Sequence, residues 1–180
     1  LNAAASLIVC HNLGINLNVA KKSLQHFSGV QRRMTKVFSK NKNDFYDDYA
    51  HHPNEISSIL DGVHNVSPKR KIISVFEPHR YSRLNDLYSK YLSVLKNVNN
   101  LIVLKTYEAG ESYNKGMKNS KNLVNDLNVL NNQKTKYIDN YSDLFSLLDQ
   151  YVKNKRENII ISAGAGEISN QIRFFYDSKK

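Results

Sequence analysis

Several things are scarce in this sequence, and each scarcity excludes something. There is one cysteine among 180 residues, so no internal disulfide can form. Such lean thiol use fits a reducing cytoplasm. That residue, Cys10, sits on an apolar stretch and reads as a small buried side chain rather than a nucleophile. Long hydrophobic runs are missing: "SLIVC" and "NLIVL" are as long as they get, far from the ~20 residues a membrane span needs. No basic leader or cleavage site opens the chain, and no initiator Met. The first residues already look helical, which predicts a piece of something longer. No G-x-x-x-x-G-K-[ST] loop, zinc-type ligand spacing or recognisable Ser-His-Asp or Cys-His set occurs. Acidic residues are also short, with 16 Asp and Glu against 26 Lys and Arg, a net charge of +10. A nucleic-acid binder could use that field, but the lysines are scattered among asparagines and serines. The reading is no nucleic acid; an anionic small molecule suits the charge equally well.

What is present is a hydrophobic share of 41%, enough for a core. Two helices are predicted first, over 2–13 and 16–27, each closed by a glycine, Gly14 and Gly29. A hairpin follows, with strands at 34–39 and 44–48 around the polar "KNKN". From there helical and strand-like segments alternate. Helices are predicted at 54–66, 82–98, 120–131, 142–155 and 167–177, and strands at 71–77, 100–107, 134–139 and 158–164. The strand runs are apolar on both alternations, the mark of strands covered on both faces. The fold class is therefore α/β, Rossmann-like, a mostly parallel sheet with helices on both faces. Ligands in such sheets gather beyond the carboxyl ends of the strands.

The unusual polar segments follow strands. "DDYAHHPNE" (47–55) places Pro53 at a helix start and His51 and His52 just before it. Adjacent histidines point apart and rarely share one ion, which disfavours a metal site. The stretch is either a plain cap on a Pro-started helix or, being richer in polar residues than a cap needs, a functional cluster at a helix N-terminus that favours anions. In "FEPHRYSR" (76–83), Arg80 and Arg83 stand three apart at a helix start, a pair suited to clamp a carboxylate or phosphate through forked hydrogen bonds. "QRRM" (31–34) puts Arg32 and Arg33 between a helix end and a strand, either as solvated linker charges or as a hinge arginine. "AGAGE" (163–167) has G-x-G after the last strand, not the dinucleotide fingerprint, and reads as a tight turn with backbone close to a ligand.

Taken in order, "NAAAS", "FSGVQRRM", "DDYAHHPNE", "FEPHRYSR", "YEAGE" and "AGAGE" resemble the bacterial Mur ligases over essentially the whole chain. DDYAHHP with PHRYSR resembles most the branch that joins L-alanine to UDP-N-acetylmuramate. The murein-tripeptide branch is expected to lack the HRYSR arginines. The resemblance implies a cytoplasmic, ATP-dependent enzyme of peptidoglycan synthesis that works through an acyl phosphate. Mg²⁺ would be held by ligands of a central ATPase domain outside this chain. It implies that residues 1–30 end that central domain, 31–34 form a hinge, and 35–180 form the domain that presents the amino acid. It implies nucleotide contacts from Asn2, Arg33 and Asp48, catalytic roles for Arg33, Asp48 and His51, and an L-alanine pocket of Tyr49, His51, Arg80 and Arg83. Glu167 and Ser169 depart from the family pattern, where Asp or Asn and a glycine are usual. A stand-alone basic anion- or nucleic-acid-binding module, or a decayed remnant, is the alternative.

Overall fold

The computed structural model describes residues 2–131, 134–153 and 156–177. The chain separates into two compact units, one up to Val30 and the other from Gln31 onward.

The first unit is a helix pair, α1 (Asn2–Asn12) and α2 (Leu17–Gln25). Gly14, at φ 75°, makes the left-handed turn that stops α1, and Asn16 caps α2 by accepting a bond from the Asn18 amide. Ile8, Val9, Leu13, Val19 and Phe27 are exposed on this unit. Cys10 is half-buried rather than buried.

The second unit opens with the hairpin. Strands β1 (Thr35–Lys40) and β2 (Asn43–Asp48) pair antiparallel around Asn41 and Lys42. Both turn residues have positive φ, 51° and 64°, as the two-residue turn that follows strand twist demands. Then come α3 (Pro53–Val66), β3 (Lys71–Phe76), α4 (Tyr81–Asp86), α5 (Tyr88–Leu95) and β4 (Leu101–Leu104). They are followed by α6 (Ser120–Asn131), β5 (Lys136–Ile138), α7 (Tyr141–Lys153), β6 (Asn158–Ala163) and α8 (Ile168–Asp177). The single helix expected at 82–98 is two, because Leu87 leaves helical angles (φ −106°, ψ 15°). No glycine or proline in the segment announces that break. The strand expected over 100–107 stops at Leu104, with Tyr107 rejoining the sheet through a lone bridge to His79. Residues 154 and 155, in the helix expected at 142–155, lie outside the described residues.

The six strands run in the order β1-β2-β6-β3-β4-β5, all parallel except β1. Ile56, Tyr91, Leu95, Leu123 and Leu127 bring α3, α5 and α6 onto one face over Phe76 and Val103. Leu144, Leu148, Ile168, Ile172 and Tyr176 bring α7 and α8 onto the other, over Ile73, Val75 and Ile160. Successive strand residues thus feed opposite cores, which explains the uninterrupted apolar runs. The topology also picks out a place. Strand β6 lies between β2 and β3, yet its following helix goes to the face opposite theirs. The crevice at the carboxyl ends of β2, β6 and β3 is therefore where such a sheet receives a ligand.

Candidate functional site

Three segments meet at that crevice: 47–55 after β2, 77–83 after β3, and 163–168 after β6. Asp48 ends β2 almost fully buried, with both carboxylate oxygens taken by backbone. Oδ2 accepts from the Met34 amide and Oδ1 from the Ala50 amide, each at 2.8 Å. The carboxylate thus ties Met34, just before β1, to the loop that carries Tyr49 and His51.

The two histidines of that loop do different work. His52 is a cap: its Nδ1 accepts from the Asn54 amide at 3.3 Å, while Glu55 accepts from the amides of His51 and His52. Burial works against the Glu55 charge, but those two amides outweigh it and hold the carboxyl below its usual range. His51 instead donates from Nδ1 to the Tyr49 carbonyl at 3.0 Å, since a carbonyl can only accept. Nε2 makes no hydrogen bond among the described residues.

From here a row of rings crosses the rim. Tyr49 meets His51 edge-on at 5.4 Å, His51 meets His79 at 6.0 Å, and His79 meets Tyr107 at 5.4 Å. His79, which sequence reasoning missed as a site residue, is the middle of this row. Its Nδ1 lies 3.0 Å from Arg83 Nη1. A guanidinium only donates, so Nδ1 accepts and the imidazole is neutral. Burial, then Arg83, His51 and Arg80, push the His79 pKa down. Arg83 is therefore committed within the site. Arg80 is not: its guanidinium is exposed and makes no hydrogen bond or ion pair among the described residues. Its backbone is fastened, with the amide donating to the Tyr107 carbonyl at 2.8 Å and φ at 69°, a left-handed value unusual for a side chain of this size. Glu111 anchors the neighbouring turn by accepting from the amide and hydroxyl of Ser82, which hold its carboxyl below the usual range.

Below the rings sits Glu77, 2% exposed. The Tyr141 hydroxyl donates to its carboxylate, as does the Ile168 amide at 3.3 Å. Burial outweighs these bonds and pushes its pKa up. The backbone of the AGAGE turn does approach something closely, but that something is Glu77 and Tyr107. A Cβ on Gly166 would stand 2.4 Å from Glu77 Oε2 and 2.6 Å from Tyr107 Cγ.

Residues 32–166 match the family model described as Mur ligase, glutamate ligase domain. The chain belongs to the Mur ligase family. It is 37% identical, over 96% of its length, to a UDP-N-acetylmuramate–L-alanine ligase of Pelagibacter ubique, of which it covers 36%. It is 38% identical, over 93% of its length, to the ligase of that name in Brachyspira hyodysenteriae, covering 35% of it. The UDP-N-acetylmuramate–alanine ligase structure from Thermotoga maritima matches 99% of the chain with a TM-score of 0.74 at 24% identity, and 37% of that structure is covered. The chain thus spans about a third of the length of the curated family members it matches.

Of the site residues expected from sequence, Tyr49, His51, Arg80 and Arg83 stand together on the rim of the family's domain, with Asp48 beneath them. Arg33 is exposed just before β1, and its charge acts on the Glu55 carboxylate. Asn2 is exposed at the start of α1 in the other unit. His79 and Glu77 were legible only as neighbours of the arginines in "FEPHRYSR"; their role depends on what the fold sets against them.

The neutral state of His79 makes the site sensitive to acid. Its pKa is depressed in the folded chain, so below about pH 6.5 the unfolded chain takes up a proton that the folded one resists. Stability contributed by this group is complete above that value and is lost as pH falls through the folded pKa. Protonation also removes the acceptor for Arg83. Acidification from about pH 7.5 to 5.5 is expected to lower the melting temperature, and His79→Asn, which keeps a neutral acceptor, to flatten that dependence. Melting curves of the two proteins across the pH range check this.

Proposed function

We propose that this chain is the amino-acid-presenting part of an ATP-dependent ligase that joins L-alanine to UDP-N-acetylmuramate in peptidoglycan synthesis. The observation that carries the reading is the uncommitted Arg80 guanidinium at the mouth of an ordered aromatic and histidine row, in a chain 37% identical to ligases of that name. A carboxylate is a poor electrophile, and ATP remedies this by transferring a phosphoryl group to the muramate carboxyl. The amine nitrogen of L-alanine then bonds to the acyl carbon, the carbon–oxygen bond to phosphate breaks, and the amine gives up a proton. Here Arg80 grips the alanine carboxylate by a charge-assisted fork. Arg83 holds His79, and Tyr49 and His51 wall the side chain, with His51 Nε2 open to the amine. Holding the nucleophile in this pose is the domain's contribution to rate.

Asn2, Arg33 and Asp48 serve the nucleotide in this reading. Arg33 reaches its phosphate when the hinge at 31–34 closes, and Asp48 keeps that hinge in register through Met34. The described residues include no group of three His, Cys, Asp or Glu side chains able to hold a metal. In this reading Mg²⁺ is held by ligands of the central domain, outside this chain. In this reading residues 1–30 end the central domain, residues 35–180 form the C-terminal domain, and the reaction takes place in the cytoplasm. Among the described residues no helix is long and apolar enough to cross a membrane.

The test is steady-state ligation by the complete gene product with ATP, UDP-N-acetylmuramate and each of L-alanine, glycine and L-serine. Preference for L-alanine supports the proposal, and no turnover with any of the three overturns it. The 180-residue chain alone is expected to bind an apolar reporter dye through Ile8, Val9, Leu13, Val19 and Phe27, surface that the rest of the protein covers. Dye fluorescence no higher than that of the complete protein would contradict this assignment.

A further inference from the structure

The hinge carries two arginines, and the proposed reaction uses only Arg33. Its neighbour has the more developed surroundings. Arg32 adopts φ 59° and turns its guanidinium inward, half-buried. Nη2 donates to the Gly164 carbonyl at 2.8 Å and to the Gly166 carbonyl at 3.4 Å. The guanidinium carbon lies 4.5 Å from the centroid of the Tyr49 ring, a cation–π distance. The Arg32 carbonyl accepts from the Tyr49 amide at 2.8 Å. Nε is buried with no hydrogen-bond partner among the described residues, so this side chain is sunk into the structure and not held out to solvent.

We infer that Arg32 is a positioning residue that sets the amino-acid pocket from the hinge. One residue bridges the hinge, the Tyr49 loop after β2 and the 163–167 turn after β6. From the other side Glu77 holds the same turn through the Ile168 amide and by contact with Gly164 and Gly166. The turn is thus clamped between a cation on the hinge and a carboxylate at the end of β3. No other described side chain both stacks on Tyr49 and bonds to the turn. Movement of residues 31–34 must therefore either carry Tyr49 and the turn along or break these contacts. A hinge arginine wired in this way couples domain closure to the shape of the wall against which the amino acid rests.

The kinetic part of this inference rests on the function proposed above. In the complete protein, Arg32→Ala is expected to raise the L-alanine KM about tenfold or more while kcat falls by a smaller factor. Arg32→Lys, which keeps the charge over Tyr49 but lacks the fork, falls between. Because Arg32 acts through Tyr49, the KM effect of Arg32→Ala is largely absent in a Tyr49→Ala background; additive effects would overturn the inference. So would a lower melting temperature with an unchanged KM, which marks a structural role only. Hydrogen exchange supplies a readout free of the reaction. Arg32→Ala should speed exchange in peptides covering 47–52 and 163–168 and leave β3 and β4 alone. If the wild-type protein fails to ligate L-alanine, the functional proposal falls and the exchange arm alone decides; unaltered exchange in both peptides would then overturn the inference.

Discussion

Arg80→Ala in the complete protein is expected to raise the KM for L-alanine by about 10–100-fold, with kcat changed less. The size follows from a charge-assisted bond to a carboxylate, worth about 1.5–3 kcal/mol, with each 1.4 kcal/mol a factor of ten. The split follows from geometry. The Arg80 side chain is exposed and makes no hydrogen bond or ion pair among the described residues, so its loss leaves no buried partner stranded and the melting temperature stays near wild type. Arg83 predicts the opposite pattern. It is bonded to His79 Nδ1 at 3.0 Å and to the His79 carbonyl at 3.4 Å, so Arg83→Ala disturbs the ring row as well. An Arg80→Ala enzyme with an unaltered alanine KM would remove the clamp from the proposal, whatever its stability. Arg80→Lys keeps a charge but not the fork, and recovers only part of the loss.

Gly166→Ala is expected to cost about 1–3 kcal/mol of stability, the usual toll of forcing atoms into a filled space. At this chain length that lowers the melting temperature by roughly 2–4 °C per kcal/mol. The added Cβ has nowhere to go: Glu77 Oε2 is 2.4 Å away and Tyr107 Cβ 3.0 Å. Glu77 cannot swing aside without giving up Tyr141 and the Ile168 amide, and Tyr107 cannot without disturbing His79. Activity should therefore fall together with stability, through the ring row. Gly116→Ala is the matched control, since a Cβ there meets nothing within 4 Å. If the two variants melt at the same temperature, the Glu77 cradle is softer than its contacts imply.

The elements of the sheet domain were largely legible in the sequence. Period and composition placed helix α6 at 120–131, and the apolar runs placed β3 and β6, because strands covered on both faces must be apolar on both alternations. The break at Leu87 was not legible, since a helix interrupted without glycine or proline leaves no mark in its composition. The candidate site divides in the same way. Arg80 and Arg83 looked alike, three residues apart at one helix start, yet Arg83 is spent on His79 while the Arg80 guanidinium makes no hydrogen bond or ion pair among the described residues. His51 and His52 looked like a pair, yet one caps α3 and the other turns to the rim.

Residue type and spacing by themselves determined the α/β class, the parallel strands, and the placing of the polar motifs after β2, β3, β4 and β6. These are local matters of propensity, period and chain order. Only the tertiary structure decided which charges are spent and which remain free. Asp48 is occupied by the Met34 and Ala50 amides, and Arg32 reaches the Gly164 carbonyl 132 positions away. Whether a polar group is free depends on the partners that folding brings to it, and those partners come from distant turns that no local pattern encodes.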